Sequence, residues 1–464
     1  MKKEQRLSLA QKVTGAVLAL SYLLAVYSAI RTQLVPTKYL LIILPITTFV
    51  IAWLVFVHFK KILPLKKSIA LIVFSLLVTA ANSYIYSAAT ATSSFLGALQ
   101  EGNSTFEEYS IIAKKDRHIA LKSSSNRYQG LLKSDTNTEL VTVELKKRTT
   151  AERKDYDSLT DITNALDSKQ TDTSVLKSSY VELLKESNNA FYKSIEVLDT
   201  FKIKVEKNTN SGTADIAKPF IMYISGIDTY GDVASVSRSD VNILVVVNPQ
   251  THKILLVNTP RDYYVQLHGA TGVKDKLTHA GIYGIDTSTQ TLEDLYGAQI
   301  DYYLRVNFTS LVTIVDALGG VNVYSDYSFK SFSAGYNTLN GKQALEFSRE
   351  RYSFAEGDRT RGKNQQRVIE AIIAKMNDPK SLVNYRAILG SLQGALQTNM
   401  GPDKISAIIN KQLNDLSKWQ VESISVDGTG KKASTYSMGA MELYVMEPDM
   451  NSVNAAKQKI IQYQ

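Results

Sequence analysis

Apolar residues are distributed along this chain in three ways, and each predicts a different kind of structure. Near the N-terminus they form long unbroken runs, Val13–Ile30, Tyr39–Phe59 and Ile69–Ala88. Each run is close to the roughly 17–25 residues that span a bilayer as a helix. They predict three transmembrane helices, over about 13–30, 39–59 and 69–88. Pro45 falls inside the second run, where a membrane helix tolerates it. From 93 to 212 the composition turns to Lys, Ser, Thr, Asn and Glu. Here Thr138–Lys147 alternates like a strand. Ser174–Asp199 places Val175, Leu176, Tyr180, Leu183, Leu184, Phe191, Ile195 and Leu198 at helical spacing, and Phe201–Val205 again alternates. This predicts a small α+β accessory domain closed by the polar linker Asn208–Asp215.

From 213 to 464 short apolar runs alternate with amphipathic segments. Phe220–Ile224 is a strand leading into the turn SGID. Val241–Val247 and Ile254–Val257 are buried-type strands joined across Pro249–His252. If that loop sets the register, Asn248 faces Lys253 and Asp240 comes to lie opposite Arg261. Thr287–Tyr296 and Phe308–Leu318 are predicted helices, with the strand Tyr302–Val306 between them and Gly319-Gly320 as a stop. After the strand Val321–Tyr324 come predicted helices over Leu382–Gln397, Asp403–Leu413 and Val453–Ile461, and strands over Val421–Val426 and Leu443–Val445. The alternation predicts an α/β domain, a central mixed sheet with helices on both faces.

Charge changes the picture of where this domain works. The chain carries a net +9. Residues 1–67 hold Lys2, Lys3, Arg6, Lys12, Arg31, Lys38, Lys60, Lys61, Lys66 and Lys67 against Glu4 alone, which accounts for all of it. The remainder is neutral and has no basic footprint for nucleic acid. The basic N-terminal tail and the Lys60–Lys67 loop mark the cytoplasmic side. Residues 89–464 are then expected outside the cell membrane. The chain has no cysteine, so disulfides, thiolate nucleophiles and Cys metal sites are excluded. Its five histidines show no metal-ligand spacing.

Candidate chemistry concentrates in Leu345–Arg367, LEFSRERYSFAEGDRTRGKNQQR, which holds Arg349, Arg351, Arg359, Arg361 and Arg367. Arginine grips phosphate through a planar fork that lysine lacks. Asn340 can cap a short helix through Ala344. Leu345, Phe347, Arg349 and Arg351 then alternate as one face of a strand. Asp358 opens a helix to about Met376, on which Arg361, Gln365, Val368 and Ile372 form one stripe, while Arg359, Lys363, Arg367 and Glu370 face solvent. Arg349, Arg351, Arg361 and Gln365 so define an inward anion site, at a helix end whose dipole favours anions. The bland reading is ion pairing of that set with Glu346, Glu350 or Glu356. Arg238, Asp240 and Arg261 gather at one end of the hairpin, where an ordinary exposed Asp–Arg pair is equally compatible with the pattern.

These segments carry a resemblance. GID at 226–228, SRSD at 237–240, NTPRDYYV at 258–265, KLTHAGIYG at 276–284, DALGGVNV at 316–323, LNGKQALEFSRER at 339–351 and GDRTRGKNQQ at 357–366 are similar to the signatures of LytR–CpsA–Psr (LCP) catalytic domains. The three spans and accessory domain resemble the capsule-operon (CpsA) type. The resemblance implies a membrane-anchored phosphotransferase. It would move a glycan phosphate, capsular polysaccharide in this type, from an undecaprenyl-pyrophosphate carrier to peptidoglycan. It implies that Arg238, Arg261, Arg349, Arg351, Arg361 and Gln365 bind the pyrophosphate, that Asp228 and Asp240 hold Mg²⁺, and that the polyprenyl tail enters an apolar pocket between sheet and helices. Arg361 and Asp358 are the candidate catalytic residues. Asp358 would act as general base for the acceptor hydroxyl, or serve only as a helix cap. Thr278 stands where many relatives have Asn, and Asn364 where many have a second Arg. A non-enzymatic binder of lipid-linked glycan and a polyprenyl-pyrophosphate hydrolase would use the same residues.

Overall fold

The computed structural model describes residues 2–464 apart from 33–36, 61–62, 102–103, 122–126, 134, 136, 207–214, 228–232, 234–236, 377–389, 393 and 416. The apolar runs form helices α1 (Lys2–Thr32), α2 (Thr37–Lys60) and α3 (Leu65–Glu101). These three are long and apolar enough to cross a membrane, with most of their surface uncovered by protein. Contacts group them with 382–393 and 401–418 in one unit, and the rest of the chain in another.

In the second unit the polar stretch folds as β1 (Ser104–Lys114), β2 (Tyr128–Leu132), α4 (Thr138–Leu145), β3 (Glu152–Tyr156), α5 (Leu159–Asp167), β4 (Thr173–Lys177), α6 (Ser178–Ser187), α7 (Asn189–Ser194) and β5 (Ile195–Glu206). The sheet order is β3-β2-β4-β1-β5. Two expectations are corrected here. Thr138–Lys147 is not a strand: α4 buries Val141 and Leu145, four apart, and leaves Val143 57% exposed. A strand would have put all three on one face. The helix read over Ser174–Asp199 is confined to 178–194. Val175 and Leu176 belong to β4, whose five residues are all buried, so a strand covered on both faces had imitated a helical stripe. Asn188 divides the helical part by accepting from the Phe191 N–H.

The C-terminal part contributes β6 (Phe220–Ile227), β7 (Ser239–Asn248), β8 (Lys253–Asn258), β9 (Tyr264–Val265), β10 (Asp275–Lys276), α8 (Leu277–Ala280), α9 (Ile285–Tyr296), β11 (Tyr302–Val306), α10 (Phe308–Ala317), β12 (Val321–Ser325), β13 (Gly335–Leu339), α11 (Gly341–Arg349), α12 (Asp358–Met376), β14 (Gln397–Thr398), α13 (Pro402–Asp415), β15 (Gln420–Ser425), β16 (Gly428–Thr435), β17 (Gly439–Pro448) and α14 (Met450–Tyr463). A six-stranded mixed sheet runs β14-β11-β6-β7-β8-β15. Its β6–β7 and β7–β8 pairs are antiparallel, its β6–β11 and β8–β15 pairs parallel. The hairpin has the expected register, Asn248 opposite Lys253.

β6 runs on through Ile227, so Ser225–Ile227 are strand rather than turn. The helix expected over Leu382–Gln397 lies mostly outside the described residues, and Gln397 opens β14. β16 was not legible, because GTGKKAST is polar on both faces. The correction that matters most falls on Leu345–Arg351, which is not a strand. α11 continues to Arg349, buries Ala344, Leu345, Phe347 and Ser348, and starts from a reciprocal cap. Asn340 accepts from the Gln343 N–H at 2.9 Å, and the Gln343 side chain accepts from the Asn340 N–H at 3.0 Å. The accessory and C-terminal parts share one apolar core, where Ile282 and Met438 pack among Leu159, Ile162, Leu166 and Leu184.

Candidate functional site: an arginine-lined anion pocket

The site is built where β6 and β7 fall out of step. Gly226 pairs with Val241 and Ile227 with Ser239, which leaves Asp240 as an extra residue, a β-bulge. A bulge redirects a side chain out of the strand's alternation. Asp240 accordingly leaves the ladder for the end of the hairpin. There its Oδ2 accepts from Arg261 Nη1 at 2.6 Å and its Oδ1 from the Thr278 hydroxyl at 2.8 Å. Burial raises the Asp240 pKa, but the Arg261, Arg238 and Arg361 guanidinium groups and the Thr278 hydroxyl outweigh it and hold the carboxyl at about 2. Asp240 is therefore ionised at neutral pH. Thr278, a departure from the usual residue, orients it.

Two glycines allow the elements to close on this carboxylate. A Cβ on Gly281, just past α8, would lie 2.5 Å from the Ser237 carbonyl oxygen. One on Gly362, the fifth residue of α12, would collide with the Asn258 amide nitrogen. α12 thus brings its N-terminal turn against the end of β8. Gln366, 3% exposed, fastens it by donating to the carbonyls of Leu256 (3.3 Å) and Ile424 (2.7 Å).

A cavity of about 170 Å³, open to solvent, lies between these parts. Arg261, Arg359, Arg361, Lys363 and Gln365 line it as donors, Asp240, Glu356 and Asp427 as acids, and Pro260, Val426 and Met446 supply apolar wall. Of the expected site residues, Asp240, Arg261, Arg361 and Gln365 meet here. Arg238, 7% exposed, lies within electrostatic reach of Asp240 but outside the lining.

Arg349 and Arg351 are not in the lining. The helical rather than extended backbone turns Arg349 outward, with its guanidinium 4.2 Å from the Phe308 ring centre. Arg351 stacks on Tyr352 at 4.7 Å and donates to its hydroxyl. Asp358 is the first residue of α12, and its side chain, like all of Asp228, lies outside the described residues. Among the described residues no group of three or more His, Asp or Glu side chains is placed to hold a metal. Asp240 nevertheless suits a hard cation as one ionised carboxylate beside an arginine-lined pocket, since Mg²⁺ takes few protein ligands.

The pattern assigned Arg359 and Lys363 to solvent, and both are about half exposed (43% and 50%) while also standing at the solvent-open rim of the cavity. Each already has an acid partner: Arg359 pairs with Asp427 at 2.6 Å and Lys363 with Glu356 at 3.6 Å. Glu346 and Glu350 pair with Lys330 at 3.3 and 2.5 Å. Among the described contacts, then, none of the three acids weighed as partners for the inward arginines takes that role.

These observations define a class: an α/β domain with a cation-rich anion pocket, on a chain whose N-terminal helices are suited to a bilayer. The match is specific. The chain belongs to the LytR_cpsA_psr family, whose model matches residues 181–459. It is 34% identical over 236 residues to the polyisoprenyl-teichoic acid–peptidoglycan teichoic acid transferase TagU of Bacillus cereus, a span of 50% of this chain and 76% of that one. The TagU of Enterococcus faecalis is 34% identical over 220 residues, 46% of this chain and 71% of the relative. The crystal structure of B. subtilis TagU aligns with a TM-score of 0.42 at 27% identity, over 53% of this chain and 96% of that one.

Proposed function

We propose that this protein is a membrane-anchored glycopolymer phosphotransferase, which moves a glycan phosphate from a polyprenyl-diphosphate carrier to peptidoglycan. The observation that carries the reading is the meeting of Arg261 and Arg361, a hundred residues apart in sequence, at one cavity beside the ionised Asp240. Phosphoryl transfer asks a protein mainly for positioning and charge neutralisation. In the reaction an acceptor hydroxyl oxygen attacks the phosphorus that bears the glycan. The bond from that phosphorus to the bridging oxygen breaks, the carrier leaves as polyprenyl phosphate, and the hydroxyl proton passes to a base.

Arg261, Arg361 and Gln365 would hold the diphosphate oxygens, with Arg238 adding positive potential behind them. Arg359 and Lys363 can turn from their carboxylates to the incoming phosphate. Mg²⁺, held by Asp240 and Asp228 with phosphate oxygens, would neutralise further charge on the diphosphate. The base is a carboxylate at the mouth, where Glu356 lines the cavity and Asp358 opens α12. The half-covered sheet face beneath α12 would take the polyprenyl tail.

The names of the relatives support transfer to peptidoglycan, and the arrangement of three N-terminal spans and an accessory domain favours capsular polysaccharide as the polymer. The basic N-terminal segments favour an orientation with residues 89–464 outside the membrane. The test is transfer of labelled lipid-linked glycan to peptidoglycan by the full-length protein. Arg261→Ala and Arg361→Ala should each lower it about 10²–10³-fold while folding persists. Full activity in both variants rejects the proposal. Release of free glycan phosphate without an acceptor would instead make the protein a hydrolase, and protection of the donor without turnover would make it a binder.

A further inference from the structure

The hairpin after α10 has no part in the pocket, yet its outer face is unusual. β12 and β13 point Val321, Val323 and Leu339 inward, and set Asn322 opposite Thr338 and Tyr324 opposite Tyr336 on the outside. Tyr324 and Tyr336 pack edge to face at 5.3 Å and remain 47% and 73% exposed. The connecting loop, DYSFKSFSA, is rich in Ser, Tyr and Phe. Tyr327 in it is 55% exposed and rests on Phe354 at 5.9 Å. Phe354 is backed by Phe329 at 4.7 Å, and Phe329 by the fully buried Phe347 at 5.3 Å. Tyr327 therefore stands on a buried aromatic base, while Tyr324 and Tyr336 are held against each other and by Arg367 over the Tyr324 ring.

This surface is continuous with the pocket by two routes. Phe354 precedes the cavity-lining Glu356 by two residues, within a turn closed by the Gly357 N–H on the Phe354 carbonyl at 3.2 Å. On α12, Arg359, Lys363 and Arg367 share one face at i, i+4 and i+8. The first two line the cavity, and Arg367 lies over the Tyr324 ring at 5.7 Å and pairs with Asp326. One helical turn, roughly 6 Å along the axis, separates the pocket rim from the aromatic face.

We propose that this face is a stacking platform for the sugars of the donor glycan nearest its phosphate. The proposal rests on the diphosphate reading of the pocket. A pyranose with equatorial hydroxyls has an apolar C–H face and a polar rim. Fixed tyrosines fit the first at low entropic cost, and Asn322, Asp326, Thr338 and Arg367 can serve the second. A run of exposed aromatic rings of this kind marks a binding surface more often than a bare one. The occupant is the donor rather than the acceptor because the face continues along α12 from the pocket that would hold the donor's diphosphate. A weak surface suffices for sugars already tethered through the diphosphate, which arrive at high effective concentration.

The test uses full-length protein in lipid nanodiscs with two probes, bare undecaprenyl diphosphate and undecaprenyl diphosphate bearing a trisaccharide of N-acetylglucosamine. The wild-type chain should bind the sugar-bearing probe about tenfold more tightly. Tyr324→Ala with Tyr336→Ala should remove that increment and leave binding of the bare probe unchanged, and the corresponding double Phe variant should keep most of it. Equal affinity of wild type for both probes overturns the platform, as does an increment that survives the double Ala change. A rise in KM for peptidoglycan alone would assign the face to the acceptor and also overturn it. Wild-type protein that fails to bind even the bare probe refutes the diphosphate reading, and the platform with it.

Discussion

The two faces of the six-stranded sheet are made of the same kinds of residue and end in different states. On one face Ile221, Tyr223, Leu244, Val246, Leu255 and Val257 are at most 1% exposed, sealed beneath α9 and α14 through Ile285, Leu292, Tyr296, Val453, Ala456 and Ile460. On the other, Ile243, Val245, Ile254 and Leu256 are covered, but Met222, Ile224, Val241, Val247 and Val421 are only partly buried, as are Ile369 and Ile373 of α12 above them. The first face is a core that stabilises the domain. The second, among the described residues, is apolar surface that is only partly buried beneath the helix that carries Arg361.

The contrast predicts its own asymmetry. The largest effect is expected on the sealed face, where Leu255→Ala should cost about 2–5 kcal/mol of unfolding free energy. Val247→Ala on the open face should cost less than about 1 kcal/mol, because less burial is lost. Equal losses in chemical denaturation would erase the distinction. Acid should next act on the rim. The folded pKa of Asp240, about 2, lies below its ordinary 3.8. Its contribution of about 2 kcal/mol is thus present above pH 4 and lost as pH falls from about 4 to 2. Asp240→Asn should flatten that part of the stability profile. Met222→Trp, filling the open face, should weaken binding of undecaprenyl diphosphate about tenfold by displacing roughly two methylenes of the tail, with little change in melting temperature. An unaltered affinity would mean that the tail lies elsewhere. The smallest effect belongs to Lys363→Gln, which breaks a half-exposed pair with Glu356 and should change stability by less than about 0.5 kcal/mol.

Much of this was legible in the chain because the signals were local. The four-residue loop Pro249–His252 fixed the register that carries Asp240 toward Arg261, and the ladder found is the one expected. The long apolar runs, the start of α12 near Asp358 and the signature segments were readable for the same reason. The arginines at 349 and 351 were misplaced because LEFSRER is short enough to satisfy a period of 2 or of 3.6. The sign that favoured continuing the helix was the spacing of Gly341, Ala344, Leu345 and Ser348, the i, i+3, i+4, i+7 face that α11 buries. Half of the stripe expected on α12 is buried, Arg361 at 9% and Val368 at 2% exposed, but Gln366 and Ile369 also meet the sheet, one position on from Gln365 and Val368.

By itself the sequence determined the membrane-length helices, the neutral charge of the chain beyond them, the hairpin register and the family. Period and charge are properties of neighbouring residues, and they survive without a fold. The tertiary structure alone decided that the half-exposed Arg359 and Lys363 stand on the cavity rim, that a bulge turns Asp240 out of the ladder, and that, among the described residues, one face of the sheet is less buried than the other. Each of those depends on which distant segment arrives to cover a given side, and no local pattern records the partner that leaves a surface uncovered.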